Sequence, residues 1–152
     1  MTKLSVVIIT YNEERNIARC LESIKDIADE IVVVDSRSTD GTREICRRYG
    51  AKFFPEDWKN YSEQKNHGNR LATNDWILSI DADEEVSGEL RRSIVEWKRL
   101  DAPVFACFNR LTNYCGKWIR HCGWYPDPKL RIFDATRAKW VGDVHELSLI
   151  HI

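Results

Sequence analysis

The sequence lacks the short motifs that mark several common enzyme classes. No G-x-G-x-x-G follows the first apolar segment, which argues against a dinucleotide-binding dehydrogenase, and no G-x-x-x-x-G-K-[ST] occurs, which argues against a P-loop enzyme. Without G-x-S-x-G, an ordinary serine hydrolase is a poor fit as well. Any catalytic chemistry must therefore use a different set of residues.

Long hydrophobic runs and paired cysteines are missing too. The apolar run from Leu4 to Ile9 is too short for a signal-peptide core, and no window approaches the roughly 18 apolar residues of a membrane-spanning helix. The five cysteines include no C-x-x-C pair, which predicts reduced thiols. The 23 Lys and Arg nearly balance the 24 Asp and Glu, so no net charge recruits nucleic acid. We expect a cytoplasmic protein that does not bind nucleic acid.

The sequence does contain an alternation of strand and helix patterns. Its 152 residues suffice for one domain with a real core. The segments LSVVIIT, EIVVVD, AKFFP and DWILSID predict buried parallel strands, with helices between them. Asn12 is expected to cap the first helix, and Ser87 the helix after the fourth strand. We predict an α/β fold with a mostly parallel, Rossmann-like sheet, flanking helices and a β-richer C-terminal half beyond Pro103.

Polar side chains follow three of the predicted strands. Ligands bind beyond the carboxyl ends of the strands in sheets of this kind. We therefore expect three clusters to meet at one edge and form a binding site. They are Thr10, Tyr11, Asn12 and Glu13 after the first strand, Asp35 after the second, and Asp81 to Glu85 after the fourth.

The acids of the third cluster fit either a solvated loop or a cation site. An extended segment would place the carboxylates of Asp81 and Asp83 on one side, about 7 Å apart. Oxygen ligands suit Mg²⁺ or Mn²⁺, which often complete their shell with substrate phosphates. Lys65 or Arg131 could add a positive contact to those phosphates, or each could be an ordinary surface cation. Asp35 could accept hydrogen bonds from a ribose or a base edge, or simply initiate the following turn.

Five segments, taken in order, resemble the family 2 glycosyltransferases. They are SVVIITYNEERNIARCLESI, EIVVVDSRSTDGT, SEQKNHGN, DWILSIDADE and VGDVHE, and the resemblance runs from about Lys3 to Glu146. The branch that they resemble is the bacterial lipopolysaccharide-core type of β-1,4-glucosyltransferase. The resemblance implies a GT-A fold, in which a nucleotide-sugar-binding half, residues 1–100, joins part of an acceptor-binding half, residues 101–146.

The same resemblance implies a metal-dependent, inverting transfer from a nucleotide sugar, expected to be UDP-linked, to a glycan or lipid-linked acceptor. The segment Thr10 to Glu13 would line the nucleotide pocket, and Asp35 would contact the uridine. Asp81 and Asp83 would hold the divalent cation on the diphosphate.

An inverting transfer also needs a general base that takes the proton of the acceptor hydroxyl. The carboxylates considered for this role are Glu146, Glu84, Glu85 and Asp127. The match of VHE to the family favours Glu146, with His145 as a third metal contact. Glu84 is kept as the second catalytic candidate.

The C-terminal half raises two further expectations. The segment CGKWIRHCGWYPDPKLR interleaves aromatic and basic residues, which suits a packed hairpin, a phosphorylated acceptor or the inner face of the cytoplasmic membrane. The last six residues, LSLIHI, have no evident partner, and family members usually continue further, so we expect a truncated sequence. A non-catalytic nucleotide-sugar-binding fragment is therefore an alternative function. A sugar-nucleotide nucleotidyltransferase is a weaker one, because TYNEE occupies the place of its expected Gly-rich loop.

Overall fold

A computed structural model of the chain describes residues 1–142 and the backbone of residues 147–150. Its helices are α1 (Ile17–Ile24), α2 (Thr42–Arg48), α3 (Tyr61–Leu71) and α4 (Gly88–Lys98). Its strands are β1 (Leu4–Thr10), β2 (Glu30–Asp35), β3 (Lys52–Pro55), β4 (Trp76–Ser79), β5 (Ala106–Asn109), β6 (Thr112–Tyr114), β7 (Lys117–Ile119), β8 (Pro128–Asp134), β9 (Ala138–Val141) and β10 (Leu147–Ile150). Within these residues, no helix is long and apolar enough to cross a membrane.

Six strands form one sheet in the order β3-β2-β1-β4-β8-β5. Strand β1 runs parallel to β2 and β4, and β3 runs parallel to β2, whereas β8 is antiparallel to its neighbours β4 and β5. The register aligns Thr10 with Asp35, so β1 and β2 end level at one edge. The predicted α/β fold with a mostly parallel sheet and flanking helices is confirmed.

Alternate side chains of β1 pack on opposite faces of this sheet, as the two-residue period of a strand requires. Leu4, Val6 and Ile8 belong to a buried cluster that also contains side chains of α1, α2 and α4. Val7 belongs to a second cluster with Val34, on the face against which α3 packs. Because both faces are covered, β1 is apolar along nearly its whole length.

Helix α3 lies very close to the sheet at Gly68. A Cβ atom at this position would lie 2.4 Å from Cγ1 of Val7 and 3.2 Å from Cγ2 of Val34. Both distances are shorter than van der Waals contact, so the absence of a side chain is what allows the helix to approach. Helix propensity alone marks Gly68 as a weak point, whereas its role here is in packing.

The two predicted helix caps have different outcomes. Ser87 does cap α4, because its Oγ accepts a hydrogen bond from the N–H of Leu90 at 3.1 Å. The expectation that Asn12 caps α1 is wrong. Its backbone is left-handed, with φ of 50°, and α1 begins only at Ile17.

The C-terminal half contains short antiparallel pairs. Strands β6 and β7 form a hairpin whose turn residues, Cys115 and Gly116, have φ values of 49° and 81°. Positive φ at both positions is typical of a type I′ turn, which matches the twist of the flanking strands. The expectation that LSLIHI has no partner is wrong for four of its residues, since β10 pairs with β9.

Candidate functional site

A cavity of about 1240 Å³ opens over the carboxyl ends of the parallel strands. This volume exceeds the roughly 300–1,000 Å³ of a typical small-molecule pocket, so it offers room for two ligands side by side. Its walls come from the ends of β1 and β4, from α3 and from β8. The predicted site residues that line it are Thr10, Tyr11, Glu13, Lys65, Asp81, Asp83 and Arg131.

Asp35 lies at the end of β2 and is almost completely buried. Its carboxylate accepts hydrogen bonds from Oγ1 of Thr10 at 2.7 Å, and from the N–H and hydroxyl of Ser38 at 2.7 and 2.6 Å. These bonds use three of the roughly four acceptor positions of a carboxylate, and Asp35 is not among the residues that line the cavity. Asp35 thus holds the turn after β2, and its neighbour Ser36 lines the cavity.

The loop after β1 is bonded to the loop after β2. The backbone N–H of Asn12 donates to Oγ of Ser38 at 2.7 Å, and the side-chain oxygen of Asn12 accepts from the N–H of Thr39 at 2.9 Å. Asn tolerates a left-handed backbone better than most residues. Asn12 therefore shapes the loop, while the adjacent Tyr11 is exposed and lines the cavity.

The acidic segment after β4 is a turn, so the expectation of an extended segment is wrong. The N–H of Glu84 donates to the carbonyl of Asp81 at 3.0 Å, and the N–H of Asp81 donates to Oε2 of Glu84 at 2.9 Å. Arg131 on β8 supports this turn, because its Nη2 lies 2.6 Å from Oε1 of Glu84 and its Nη1 donates to the carbonyl of Ser79. The turn is fixed by a strand distant in sequence.

Glu84 differs from the two aspartates in this turn. Burial raises the pKa of its carboxyl, an effect that Arg131 opposes and that the charges of Asp81 and Asp83 reinforce. Both of its oxygens have partners, Arg131 and the backbone of Asp81. Asp81 and Asp83 instead line the cavity. Glu84 therefore stabilises the turn that carries the two aspartates.

Lys65 projects from α3 and is only 3% exposed. Its Nζ lies 3.1 Å from Oδ1 of Asp81 and 5.0 Å from the centre of the Trp140 ring. A buried ammonium group requires such partners, because leaving water is costly for a charge. The alternative of an ordinary surface cation is wrong for Lys65 and, since Arg131 is also buried, for Arg131.

The donor set after β4 fits a divalent ion that a bound ligand helps to hold. Asp81 and Asp83 both line the cavity and offer carboxylate oxygens. Among the residues that the structure describes, no group of three or more His, Cys, Asp or Glu side chains converges into an all-protein site. In proteins, Mg²⁺ is usually coordinated by one or two carboxylates, and substrate phosphates and water supply its other ligands. The two aspartates match that pattern.

The remaining predicted residues, His145 and Glu146, lie outside the described residues. Other side chains that line the cavity were not predicted as site residues, among them Trp58, Tyr61, Arg110 and Trp140. Trp58 and Tyr61 form an edge-to-face pair with ring centres 4.9 Å apart. Both lie just before SEQKNHGN, one of the segments that resemble the family, and that position is a signal for them in the sequence. Arg110 offered none, because its place depends on how β5 pairs with β8.

Known proteins resemble this chain in sequence. The family model for glycosyl transferase family 2 matches residues 5–151. An uncharacterized glycosyltransferase of Rickettsia felis is 51% identical over 94 residues, which cover 62% of this chain and 33% of the relative. The SPbeta prophage-derived glycosyltransferase SunS of Bacillus subtilis is 35% identical over 142 residues, which cover 91% of this chain and 33% of SunS. The chain thus spans about a third of the length of these relatives.

Solved structures resemble it in fold. Residues 1–349 of TarS from S. aureus, in complex with UDP-GlcNAc, match with a TM-score of 0.52 and 26% sequence identity. The match covers 63% of this chain and 31% of that chain. The likeness therefore concerns a part of each protein.

Proposed function

The chain belongs to glycosyl transferase family 2, and on that premise we propose that it transfers a sugar from a nucleotide-sugar donor to a hydroxyl of an acceptor. The observation that carries the proposal is a single cavity lined by the loop after β1, the acidic turn after β4 and the buried Lys65. Polar groups from separate parallel strands meet there, at the edge where sheets of this kind bind ligands.

We propose a UDP-linked donor, which the UDP-GlcNAc complex of the similar TarS supports. The nucleoside would lie over the ends of β1 and β2. Tyr11 offers an exposed ring there, and Asp35 holds the turn whose Ser36 lines the cavity. The rigid bonding between the loops after β1 and β2 would hold this pocket in place before the donor arrives.

We propose that Asp81 and Asp83 hold Mg²⁺ or Mn²⁺ against the donor diphosphate. The ion would stabilise negative charge as it develops on the leaving phosphate. Lys65 brings a further positive charge to the same place, since its Nζ lies beside Asp81. Arg131 and Glu84 keep the turn in the geometry that both aspartates require.

The transfer is proposed to invert the anomeric centre, with a carboxylate as general base. We assign that role to Glu146 and assign His145 as a third contact of the ion, on the family resemblance of VHE. The two bonds of Glu84 support a positioning role for it rather than proton transfer.

We propose a glycan or lipid-linked acceptor, as in the lipopolysaccharide-core branch, and peripheral contact with the inner face of the cytoplasmic membrane. Exposed aromatics on and beside the β6–β7 hairpin support that contact: Tyr114, Trp118 and Trp124. Flotation with anionic vesicles tests it, and a protein that stays at the bottom of the gradient would remove this part of the proposal.

The central experiment is calorimetric titration of UDP into the purified chain, with and without Mn²⁺. We expect Mn²⁺ to tighten UDP binding in the natural sequence, and we expect Asp83→Ala to abolish that tightening. Glu85→Ala is the matched control, because Glu85 is an exposed acid two residues away that pairs with Arg19. No UDP binding by the folded chain would overturn the proposal. Binding without sugar transfer would instead favour the alternative of a non-catalytic nucleotide-sugar-binding module.

A further inference from the structure

A second charged group, distinct from the acidic turn, lies on the wall of the cavity. Arg110 follows β5, Asp127 precedes β8, and Lys129 lies within β8. The backbone N–H of Arg110 donates to the carbonyl of Asp127 at 3.0 Å, which fixes the two chain segments side by side. The Asp127 carboxylate accepts from Nε of Arg110 at 3.0 Å and also contacts Nη2 of Arg110 at 2.9 Å and Nζ of Lys129 at 3.0 Å.

Two cations thus share one carboxylate, and the group keeps a net positive charge. Burial alone would raise the pKa of the Asp127 carboxyl, but Lys129 and Arg110 lower it, so Asp127 is ionised at neutral pH and balances one of them. The side chains of Arg110 and Lys129 are 47% and 46% exposed, against 23% for Asp127. Both cations line the cavity. The excess positive charge is therefore accessible to a ligand.

The order of the strands places this group beside the acidic turn, on the side away from the proposed nucleoside site. The nucleoside is assigned to β2 and β1, and the acidic turn follows β4, whereas Arg110 follows β5 and Lys129 lies in β8, the strand next to β4. With about 4.8 Å between neighbouring strands, β8 lies about 14 Å and β5 about 19 Å from β2 along the edge. In the proposed arrangement Asp81, Asp83 and Lys65 serve the diphosphate. Arg110 and Lys129 bond to Asp127 instead, so their excess charge is available to a second anion.

We infer that Arg110 and Lys129 form a subsite for an anionic group, a phosphate or a carboxylate, carried by the acceptor sugar. A guanidinium group can bond such a group through two parallel N–H donors, and an ammonium group adds a compact charge. Asp127 holds the guanidinium in place by its Nε edge. The inference rests on the proposed function and narrows its acceptor to acidic sugars.

The test uses the chain saturated with UDP and Mg²⁺, so that the donor site is filled. Glucose 6-phosphate, glucuronate, glucose and inorganic phosphate are titrated separately, and binding is followed by NMR chemical shifts. We expect one of the two acidic sugars to bind more tightly than glucose and inorganic phosphate. We expect Arg110→Gln and Lys129→Gln each to weaken that binding about tenfold or more. Arg99→Gln is the control, since Arg99 pairs with Glu96 on α4, away from the cavity walls.

UDP affinity, measured on the same samples, separates the outcomes. It should stay unchanged in the variants, which also shows that they are folded. A loss of UDP affinity in Lys129→Gln would assign the cations to the donor and overturn the inference. The inference would also be overturned if glucose bound as tightly as both acidic sugars, or if inorganic phosphate did. UDP binding without any preference for acidic sugars defeats the inference alone, whereas no UDP binding at all defeats the proposed function with it.

Discussion

The two ends of the central sheet use carboxylates in opposite ways. At the amino ends of the strands, Glu30 has a side chain that is 6% exposed. It accepts hydrogen bonds from the hydroxyl of Ser5 and from Nζ of Lys52, both at 2.5 Å, and from the N–H of Thr73 at 2.8 Å. We call this group of four residues the closed end, because its polar atoms bond to one another.

At the carboxyl ends, which we call the open end, acids face a cavity instead. Asp81 pairs with Lys65, and its side chain is 36% exposed. Asp83, two residues away, is exposed and also lines the cavity. Like charges this close repel each other unless a cation lies between them. A carboxylate with all its partners in the chain stabilises the fold. One that lacks them is free to bind something else.

The open end depends on α3, which brings Lys65 to the cavity while Gly68 packs on the sheet. Gly68→Ala should cost about 1–3 kcal/mol of unfolding free energy, because the new Cβ would overlap Val7. It should also weaken UDP binding, since Lys65 lies one turn away. Urea unfolding measures the first effect and calorimetry the second.

Gly88→Ala in α4 is the matched control. A Cβ there meets nothing closer than Nη1 of Arg92 at 4.0 Å, so the substitution should be neutral or stabilising by up to about 1 kcal/mol. If Gly68→Ala proved as stable as Gly88→Ala, the close approach of α3 would not be what positions the open end.

A second prediction concerns Glu84. This residue lies at the open end, but both of its carboxylate oxygens have partners within the chain, as those of Glu30 do at the closed end. Glu84→Gln should weaken Mn²⁺ affinity in the presence of UDP about 10–100-fold, because the residue orients the backbone of Asp81. UDP affinity without metal should change little. Calorimetric titration of Mn²⁺ measures the effect, with Glu85→Gln as the control. Equal loss of UDP affinity with and without metal would mean that Glu84 merely supports folding.

Local patterns in the sequence predict the parallel half of the sheet well. Four strands and the polar clusters after them follow from short apolar runs that end in Thr10, Asp35 and Asp81. Ser87 is predicted as a cap because its partner, Leu90, lies only three residues away. For this cap, whose bond spans only three residues, pattern and structure agree.

Interactions between distant residues are what the sequence does not predict. Asn12 fails as a helix cap because its partners, Ser38 and Thr39, lie 26 and 27 residues away. The acidic turn depends on Arg131, which is 47 residues from Glu84. Arg110 joins the cavity only because β5 pairs with β8. No local pattern contains these pairings, since they arise from the order of the strands.

The weakest change that we expect is in acid sensitivity, and it belongs to the closed end. Burial alone would raise the pKa of Glu30, but bonds from Lys52, Ser5 and Thr73 lower it below the ordinary value of 4.5. Glu30 therefore contributes stability above that pH, and the contribution is lost as pH falls through the lowered pKa. At neutral pH, Glu30→Gln should lower the free energy of unfolding by up to about 1 kcal/mol. On acidification the stability of the variant should fall less than that of the natural sequence, so the difference between them should shrink. UDP binding should not change.

Urea unfolding at several pH values measures the acid dependence of stability. Asp29 should give both proteins a residual acid dependence, because its pKa is also lowered. Equal acid dependence in the two proteins would show that Glu30 does not stabilise the closed end through its charge.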